Sequence, residues 1–251
     1  MITSMEYSIE VQNFTKKFQQ KAVVNNASFV VKKGTIHGFI GPNGAGKSTT
    51  LKSLMGLVNK NSGNLEIEGK KVIENPFFNQ SVGYIPSEPI FDKSWKVEGF
   101  VKSFCGYLKG ISEAEVEKKL TNSPLNQYRS KPCRALSTGW KKILLVFIAM
   151  NLFPRPDQPK ILILDEVRNG LDPTAWFQLE EKLKAFRDQG GSVLLSTHIL
   201  SDIQALADEI TMINQGQIIY TGPKSSNVEE LYKKLFFQSA GSGKKATTTY
   251  F

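Results

Sequence analysis

Cysteine and long apolar runs are scarce in this sequence, and each shortage excludes a class of protein. Its 251 residues include two cysteines and two histidines. Cys105 and Cys133 lie too far apart for a zinc or redox pair, so we expect reduced, structural thiols. The longest apolar stretch, 143–153, is about half of the ~20 residues that a membrane-spanning helix needs. The sequence therefore predicts neither a disulfide-stapled fold nor a membrane span.

The opening residues lack the features of a secretory signal. The segment MITSMEYSIE carries Glu6 and Glu10 and has no basic residues followed by an apolar run. We therefore expect the protein to stay in the cytoplasm. The composition, 40% hydrophobic and 22% charged, is close to the globular average. The length suits one domain, with or without a subdomain.

Acidic residues are in the minority, since 32 lysines and arginines stand against 23 acids for a formal net charge of +9. Such an excess fits binding to nucleic acid, attraction to an anionic membrane, or a solvated lysine-rich surface. The lysines occur in scattered pairs, such as Lys16 with Lys17 and Lys118 with Lys119, without a dense basic block. This pattern favours a solvated surface, and we expect no nucleic acid as a partner.

A glycine-rich loop carries the strongest functional signal. It completes the pattern G-x-x-x-x-G-K-[ST] between a predicted strand that ends at Ile40 and a predicted helix. In this pattern, backbone N–H groups and the helix N-terminus bind phosphate oxygens. Lys47 would reach the outer phosphates and Ser48 would bind Mg²⁺. We expect ATP to contact the whole loop, which consists of Gly41, Pro42, Asn43, Gly44, Ala45, Gly46, Lys47, Ser48 and Thr49.

Two acids follow the apolar run from Ile161 to Leu164. They lie at the end of a predicted buried strand, where open α/β sheets bind their ligands. Asp165 would hold Mg²⁺ or its water, and Glu166 would polarise the water that attacks the γ-phosphate. Two acids could merely end a strand, but the phosphate loop requires a partner of this kind.

The order of apolar and turn-rich segments predicts an α/β fold. The first third alternates β-like runs with turn residues, and strands alternate with helices through the second half. The runs ILIL and VLL suit strands that are buried on both faces. We predict a P-loop NTPase core with a mainly parallel sheet, an N-terminal antiparallel β subdomain and a helical subdomain.

Prolines and helix signals divide the chain further. The prolines of YIPSEP mark a boundary near Pro86. Helical patterning runs from Phe91 to about Tyr128, and Ser112 with Glu115 fits a capping box. We expect one ATPase domain over residues 1–239, with the helical subdomain at about 89–155, and a flexible tail over 240–251.

With these motifs, the chain resembles the nucleotide-binding subunits of ATP-binding-cassette (ABC) transporters from about Tyr7 to Phe237. The most specific mark is ALSTGWKK, which resembles the family's LSGGQ signature and stands between the phosphate loop and the acidic strand. The resemblance implies that Ser137 and Gly139 close over the γ-phosphate held by a second copy of the domain. The partners would then be a second ATP-binding subunit, identical or different, and a separate integral-membrane permease.

Three more residues match the family singly. Phe18 stands where an aromatic residue stacks on adenine, and Asp172 of NGLDP stands in the loop that crosses the dimer interface. His198 of LLSTHIL matches the histidine that contacts the γ-phosphate. The resemblance thus implies catalytic roles for Glu166, His198 and Lys47.

The match has three departures. Ser87 stands where the family usually has a glutamine, and the acidic residue after it could substitute. Thr138 and Trp140 depart from the signature, where Trp140 could instead face the neighbouring helix. Val167 and Arg168 stand where a proline and a small polar residue are common, and Arg168 would either contact nucleotide or face solvent.

We predict an ATP-hydrolysing subunit that dimerises around ATP and drives a permease from the cytoplasmic face of the cell membrane. NGLDP and YIPSEP resemble exporters more than nutrient importers. Two alternatives stay open. A soluble cassette ATPase acting on ribosomes or DNA is disfavoured by the single cassette without inserted arms. A non-hydrolysing regulatory cassette is favoured by the departures and disfavoured by the presence together of Lys47, Ser48, Asp165, Glu166 and His198.

Overall fold

The computed structural model describes residues 6–72, 82–92, 94–107, 111–151 and 161–237. The predicted flexible tail lies outside these residues. The strands are β1 (Tyr7–Phe18), β2 (Lys21–Lys32), β3 (Ile36–Ile40), β4 (Ser62–Ile67), β5 (Lys70–Lys71), β6 (Val82–Ile85), β7 (Ile161–Asp165), β8 (Ser192–Thr197), β9 (Glu209–Asn214) and β10 (Gln217–Pro223). The helices are α1 (Lys47–Leu54), α2 (Val97–Tyr107), α3 (Glu113–Thr121), α4 (Thr138–Asn151), α5 (Pro173–Asp188), α6 (Leu200–Leu206) and α7 (Val228–Phe237).

Four strands form an antiparallel sheet in the order β2-β1-β4-β5. β1 pairs with β2 on one side and with β4 on the other, so that Ile9 stands opposite Ile67. Alternate side chains such as Ile9 and Val11 are buried because they cover one face of this sheet, as the two-residue period of a strand requires. The N-terminal antiparallel sheet predicted from the sequence is confirmed.

Six strands form the second sheet, in the order β10-β9-β3-β8-β7-β6. All neighbours in it are parallel except β10, which pairs antiparallel with β9 at the edge. Every residue of β3, β7 and β8 is buried. Apolar layers cover both faces, since Leu162 and Leu164 pack towards α4 to α7 whereas Ile161 and Ile163 pack towards α1 and the antiparallel sheet. The predicted mainly parallel sheet is confirmed.

The helices α2, α3 and α4 enclose an apolar cluster of their own, which includes Val101, Val116 and Leu144. The predicted capping box at the start of α3 is confirmed, because Ser112 accepts from the Glu115 backbone N–H while the Glu115 carboxylate accepts from the Ser112 backbone N–H. We propose that this cluster is the core of the helical subdomain predicted at about 89–155.

Helix α2 begins at Val97, later than the patterning from Phe91 predicts. The chain before it is held extended, because the Trp95 carbonyl accepts from the Cys133 N–H at 2.8 Å and the Val97 N–H donates to the Lys131 carbonyl at 3.0 Å. Cys133 is buried as a free thiol, as expected, whereas the Cys105 side chain lies outside the described residues. Among the helices that the structure describes, none combines the length and the hydropathy that a membrane span requires.

Candidate active site

Three neighbouring parallel strands, β3, β8 and β7, have their carboxyl ends on the same side of the second sheet, and the predicted polar residues lie there. Ile40 at the end of β3 pairs with Thr197 of β8, and Asp165 at the end of β7 pairs with Ser196 of β8. The phosphate loop, the two acids and His198 therefore leave the sheet side by side. This edge is where parallel α/β sheets form their ligand sites.

The loop from Gly41 to Lys47 is folded tightly against the sheet. Gly46 has a φ of 108°, and a Cβ there would lie 2.9 Å from the Val23 carbonyl oxygen, so a larger residue would not fit. Helix α1 begins directly after it and directs its free N–H groups at the loop. The Lys47 Nζ is buried and donates to the carbonyls of Gly41 at 2.6 Å and Pro42 at 3.2 Å.

Glu166 lies between two other predicted catalytic residues. Its Oε1 forms an ion pair with the Lys47 Nζ at 3.2 Å, and its Oε2 lies 2.8 Å from the His198 Nδ1. Its backbone N–H donates to the Ser196 carbonyl at 3.0 Å, and its φ of 48° is left-handed. The structure therefore brings Lys47, Glu166 and His198 together, although they follow three different strands.

Asp165 is fully buried beside this group. Among the described residues, neither of its carboxylate oxygens has a hydrogen-bond partner of normal geometry. Burial raises the pKa of Asp165, and the nearby hydroxyls of Ser48 and Ser196 offset part of that rise. A buried carboxylate without donors next to a hydroxyl fits a hard divalent cation, which prefers oxygen ligands. The side chains of Asp165 and Ser48 could therefore hold Mg²⁺.

A cavity of about 710 Å³ opens over these residues. Of the predicted site residues, those that line it are Asn43, Gly44, Gly46, Lys47, Ser48, Thr49, Glu166 and His198. The cavity is also lined by two departing residues, Ser87 and Thr138, and by Glu88, the acidic residue that could substitute for the family's glutamine.

Eight predicted residues do not line this cavity, namely Gly41, Pro42 and Ala45 of the phosphate loop, Asp165 of β7, and Ser137, Gly139, Asp172 and Phe18. Ser137 is exposed just before α4, where its Oγ accepts from the Trp140 N–H at 3.3 Å. Gly139 is buried in the first turn of α4, and Asp172 is the exposed N-cap of α5, accepting from the Ala175 N–H at 3.0 Å. Phe18 ends β1, is 49% exposed and has the Lys16 Nζ 4.8 Å from its ring centroid.

The structure shows the partners of two residues that depart from the family pattern, Trp140 and Arg168. Trp140 packs against Tyr128 with ring centroids 4.5 Å apart, which agrees with the alternative that it faces its neighbour in the helical region. Arg168 neither points freely to solvent nor lines the cavity. It pairs with the buried carboxylate of Asp202, and its guanidinium lies 5.4 Å from the Trp176 ring centroid. The loop after Glu166 is thereby tied to α6.

Lys142 is a site residue that the sequence reading missed. Its side chain is fully buried, and its Nζ donates to the backbone carbonyls of Glu166 and Asn169. One signal could have revealed it, because Lys142 shares helical spacing with the buried residues Gly139, Val146 and Ala149. A lysine on the buried stripe of a helix requires a polar partner.

Comparison with known proteins agrees with this geometry. The family described as ABC transporter matches residues 24–169. The lantibiotic transport ATP-binding protein SrtF of Streptococcus pyogenes is 36% identical over 228 residues, which cover 89% of this chain and 95% of the relative. The Nod factor export ATP-binding protein I of Ralstonia nicotianae is 32% identical over 219 residues, or 85% of this chain and 66% of the relative.

A solved structure described as the ATP-binding subunit of an ABC transporter has the same fold. It superposes with a TM-score of 0.79 at 28% identity and covers 90% of this chain and 98% of its own. This chain carries on that fold the phosphate loop, the two acids at the end of β7 and the signature-like segment. The chain therefore belongs to the ABC transporter family, as an ATP-binding subunit that hydrolyses ATP.

Proposed function

We propose that this chain hydrolyses Mg²⁺-bound ATP in the cavity at the sheet edge, pairs with a second ATP-binding subunit and drives export through a separate permease. The observation that carries the proposal is the Glu166 carboxylate, which lies between the Lys47 ammonium and the His198 ring. The site therefore combines a proton acceptor, Glu166, with a cation that can bind phosphate, Lys47, and a ring that contacts the acceptor, His198. This arrangement suits attack by water on a terminal phosphate.

Lys47 changes partners when ATP binds. In the structure, its Nζ donates to carbonyls of its own loop and pairs with Glu166. Phosphate oxygens are stronger, charged acceptors, and the N–H groups at the start of α1 add further donors. Transfer of Lys47 to phosphate frees one oxygen of Glu166 to orient the attacking water, while His198 holds the other.

Asp165 and Ser48 would hold Mg²⁺ in this scheme. The support is the pair of buried Asp165 oxygens that lack donors among the described residues. When bound, Mg²⁺ would offset the negative charge of the outer phosphates. Asp165 is kept dry by its place at the end of β7, so its charge acts at short range and is little screened.

The second subunit supplies contacts that one copy lacks. Ser137 and Asp172 are exposed and do not line the cavity of their own chain. Placed over a nucleotide held by a partner, Ser137 and the N–H groups at the start of α4 would bind the γ-phosphate, as helix N-termini bind anions. Phe18 is exposed at the end of β1 and would stack on adenine.

Export is the direction that the relatives support. SrtF is named for lantibiotic transport and the Ralstonia protein for Nod factor export. We propose by analogy that this chain serves an exporter, bound to its permease at the cytoplasmic face of the cell membrane. Salt-dependent binding to RNA or DNA would instead favour the alternative of a cassette that acts on nucleic acid.

The test compares the unmodified chain with Glu166→Gln, Lys47→Ala and, as a control, the exposed Glu181→Gln. We expect Glu166→Gln to bind ATP normally and to lose about 100-fold or more in turnover, since it cannot accept a proton. Lys47→Ala should weaken ATP binding itself. Equal turnover in Glu166→Gln and the unmodified chain would remove Glu166 as the base. ATP binding without turnover, even with the permease, would establish the regulatory alternative.

A further inference from the structure

Lys142 is a fully buried lysine whose ammonium group donates to the backbone of the loop that carries Glu166. Its Nζ lies 2.7 Å from the carbonyl oxygen of Glu166 and 2.7 Å from that of Asn169. Burial lowers the pKa of Lys142, and the carboxylates of Glu166, Asp165 and Glu88 offset part of that decrease. A buried cation destabilises a fold unless its donors are satisfied. An apolar residue would suit the interior better, so the charge points to a role other than packing.

The two carbonyls that Lys142 binds belong to the turn that presents Glu166. Glu166 has a left-handed φ of 48°, which a non-glycine residue adopts only when its surroundings hold it there. The Asn169 N–H closes the turn by donating to the Glu166 carbonyl at 3.2 Å. Lys142 donates to the first and last carbonyls of this closed turn, so it fixes the backbone from which the Glu166 carboxylate extends.

The start of α4 is packed directly on Gly170, the residue that follows this turn. A Cβ on Gly139 would lie 2.2 Å from the Gly170 carbonyl oxygen, and a Cβ on Gly170 would lie 3.3 Å from Thr138 Cβ. Such close approach leaves no room for the helix to slide over the turn. Lys142 lies one helical turn beyond Gly139 and adds two charged hydrogen bonds to this contact. Helix α4 and the Glu166 turn therefore form one unit.

We propose that Lys142 is a positioning residue for hydrolysis, which holds the Glu166 turn in its reactive conformation and couples it to α4. The inference rests on the proposed role of Glu166 as general base. Ser137 stands at the start of the same helix and is proposed to contact the nucleotide of the partner subunit. Lys142 thus connects phosphate binding at one site with the position of the base at the other.

The experiment measures ATP affinity and single-turnover hydrolysis of labelled ATP for the full chain and its variants. Lys142→Met removes the donors at similar volume, Lys142→Arg restores them, and the exposed Lys118→Met controls for lost charge in the helical region. We expect Lys142→Met to hydrolyse about 10- to 100-fold more slowly with ATP affinity changed less than about threefold, because displacement of a catalytic group by about 1 Å has such an effect. Lys142→Arg should recover part of the rate.

A second background separates positioning from general damage. In Glu166→Gln, adding Lys142→Met should slow hydrolysis by less than about twofold, because there is no base left to position. An unchanged rate in Lys142→Met, an equal loss in both backgrounds, or a parallel loss of rate and ATP affinity would overturn the inference. Lys142→Gln is measured by the same criteria if Lys142→Met does not fold. Normal turnover in Glu166→Gln would instead refute the proposed base and leave the hydrogen bonds of Lys142 without this purpose.

Discussion

At the scale of single residues, Glu166 is the position where strain and contacts coincide. A left-handed backbone at a non-glycine residue costs about 1–3 kcal/mol. Lys47 and His198 hold its carboxylate, the Ser196 carbonyl accepts from its N–H, and Lys142 donates to its carbonyl. The fold thus fixes both the backbone and the side chain of Glu166, whose left-handed φ would otherwise relax. Such fixing is expected where geometry serves chemistry.

The charge of Asp165, in contrast, destabilises the folded state. Burial raises its pKa, and an acid whose folded pKa is raised makes the folded state less stable at every pH above that value. Asp165→Asn should therefore raise Tm by about 2–4 °C near neutral pH, equivalent to about 1 kcal/mol. The same variant should lose Mg²⁺-dependent turnover. Thermal unfolding and an ATPase titration with Mg²⁺ measure the two effects.

The exposed Asp188→Asn is the matched control for Asp165→Asn, and it should change neither Tm nor the Mg²⁺ dependence. A lower Tm in Asp165→Asn would mean that the carboxylate is better satisfied in the folded chain than its surroundings indicate. Full Mg²⁺-dependent turnover would remove Asp165 from the proposed metal site.

At the scale of elements, patterns between sequence neighbours predicted most of the architecture. The phosphate loop, the apolar runs of β7 and β8 and the capping box of α3 are all set by residues close in the chain. The partners of Lys142 and Arg168 are not, because Lys142 reaches a carbonyl 24 residues away and Arg168 a carboxylate 34 residues away. Helical patterning likewise predicted too early a start for α2, since pairing with a distant segment holds that stretch extended.

The contact between Arg168 and Asp202 joins the Glu166 turn to α6 and should depend on pH. Burial raises the pKa of Asp202 to about 6, and Arg168 opposes that rise. Arg168→Met removes this opposition, so at about pH 8 the variant must either bury an unpaired Asp202 carboxylate or protonate it at a cost in stability. At about pH 5, Asp202 of the unmodified folded chain is already mostly protonated, so less is lost. We expect a larger fall in Tm at about pH 8 than at about pH 5.

Two further variants test the Arg168 contact. Arg168→Met combined with Asp202→Asn should regain most of the lost Tm at about pH 8, since no buried charge is left. The exposed Arg134→Met should leave Tm unchanged at either pH. An equal loss of Tm at both pH values in Arg168→Met would indicate that packing over Trp176, rather than charge, is what Arg168 provides.

At the scale of the whole molecule, His37 should make the fold sensitive to acid. It is buried in the second sheet, with Nε2 at 2.8 Å from the Thr211 Oγ1, and burial followed by the charge of Lys32 lowers its pKa to about 3. Between that value and the ordinary ~6.5 of an unfolded histidine, only the unfolded chain binds the proton. The free energy of unfolding should therefore fall as pH drops from about 6.5 to about 3.

Urea unfolding at a series of pH values measures this effect in the unmodified chain and in His37→Gln. The variant should be less stable at neutral pH but show a flatter dependence below about pH 6.5. The same slope in His37→Gln as in the unmodified chain would exclude His37 as a source of the acid sensitivity.

The proposed site needs two chains, because one chain presents Ser137 away from its own cavity. The most direct test is light scattering of Glu166→Gln, which should retain bound ATP, with and without Mg²⁺ and ATP. We predict that the molar mass doubles only with nucleotide, and that adding Ser137→Glu prevents it, because the new charge repels phosphate. A mass that stays the same with ATP, or that doubles despite Ser137→Glu, would contradict a site completed by the partner's signature segment.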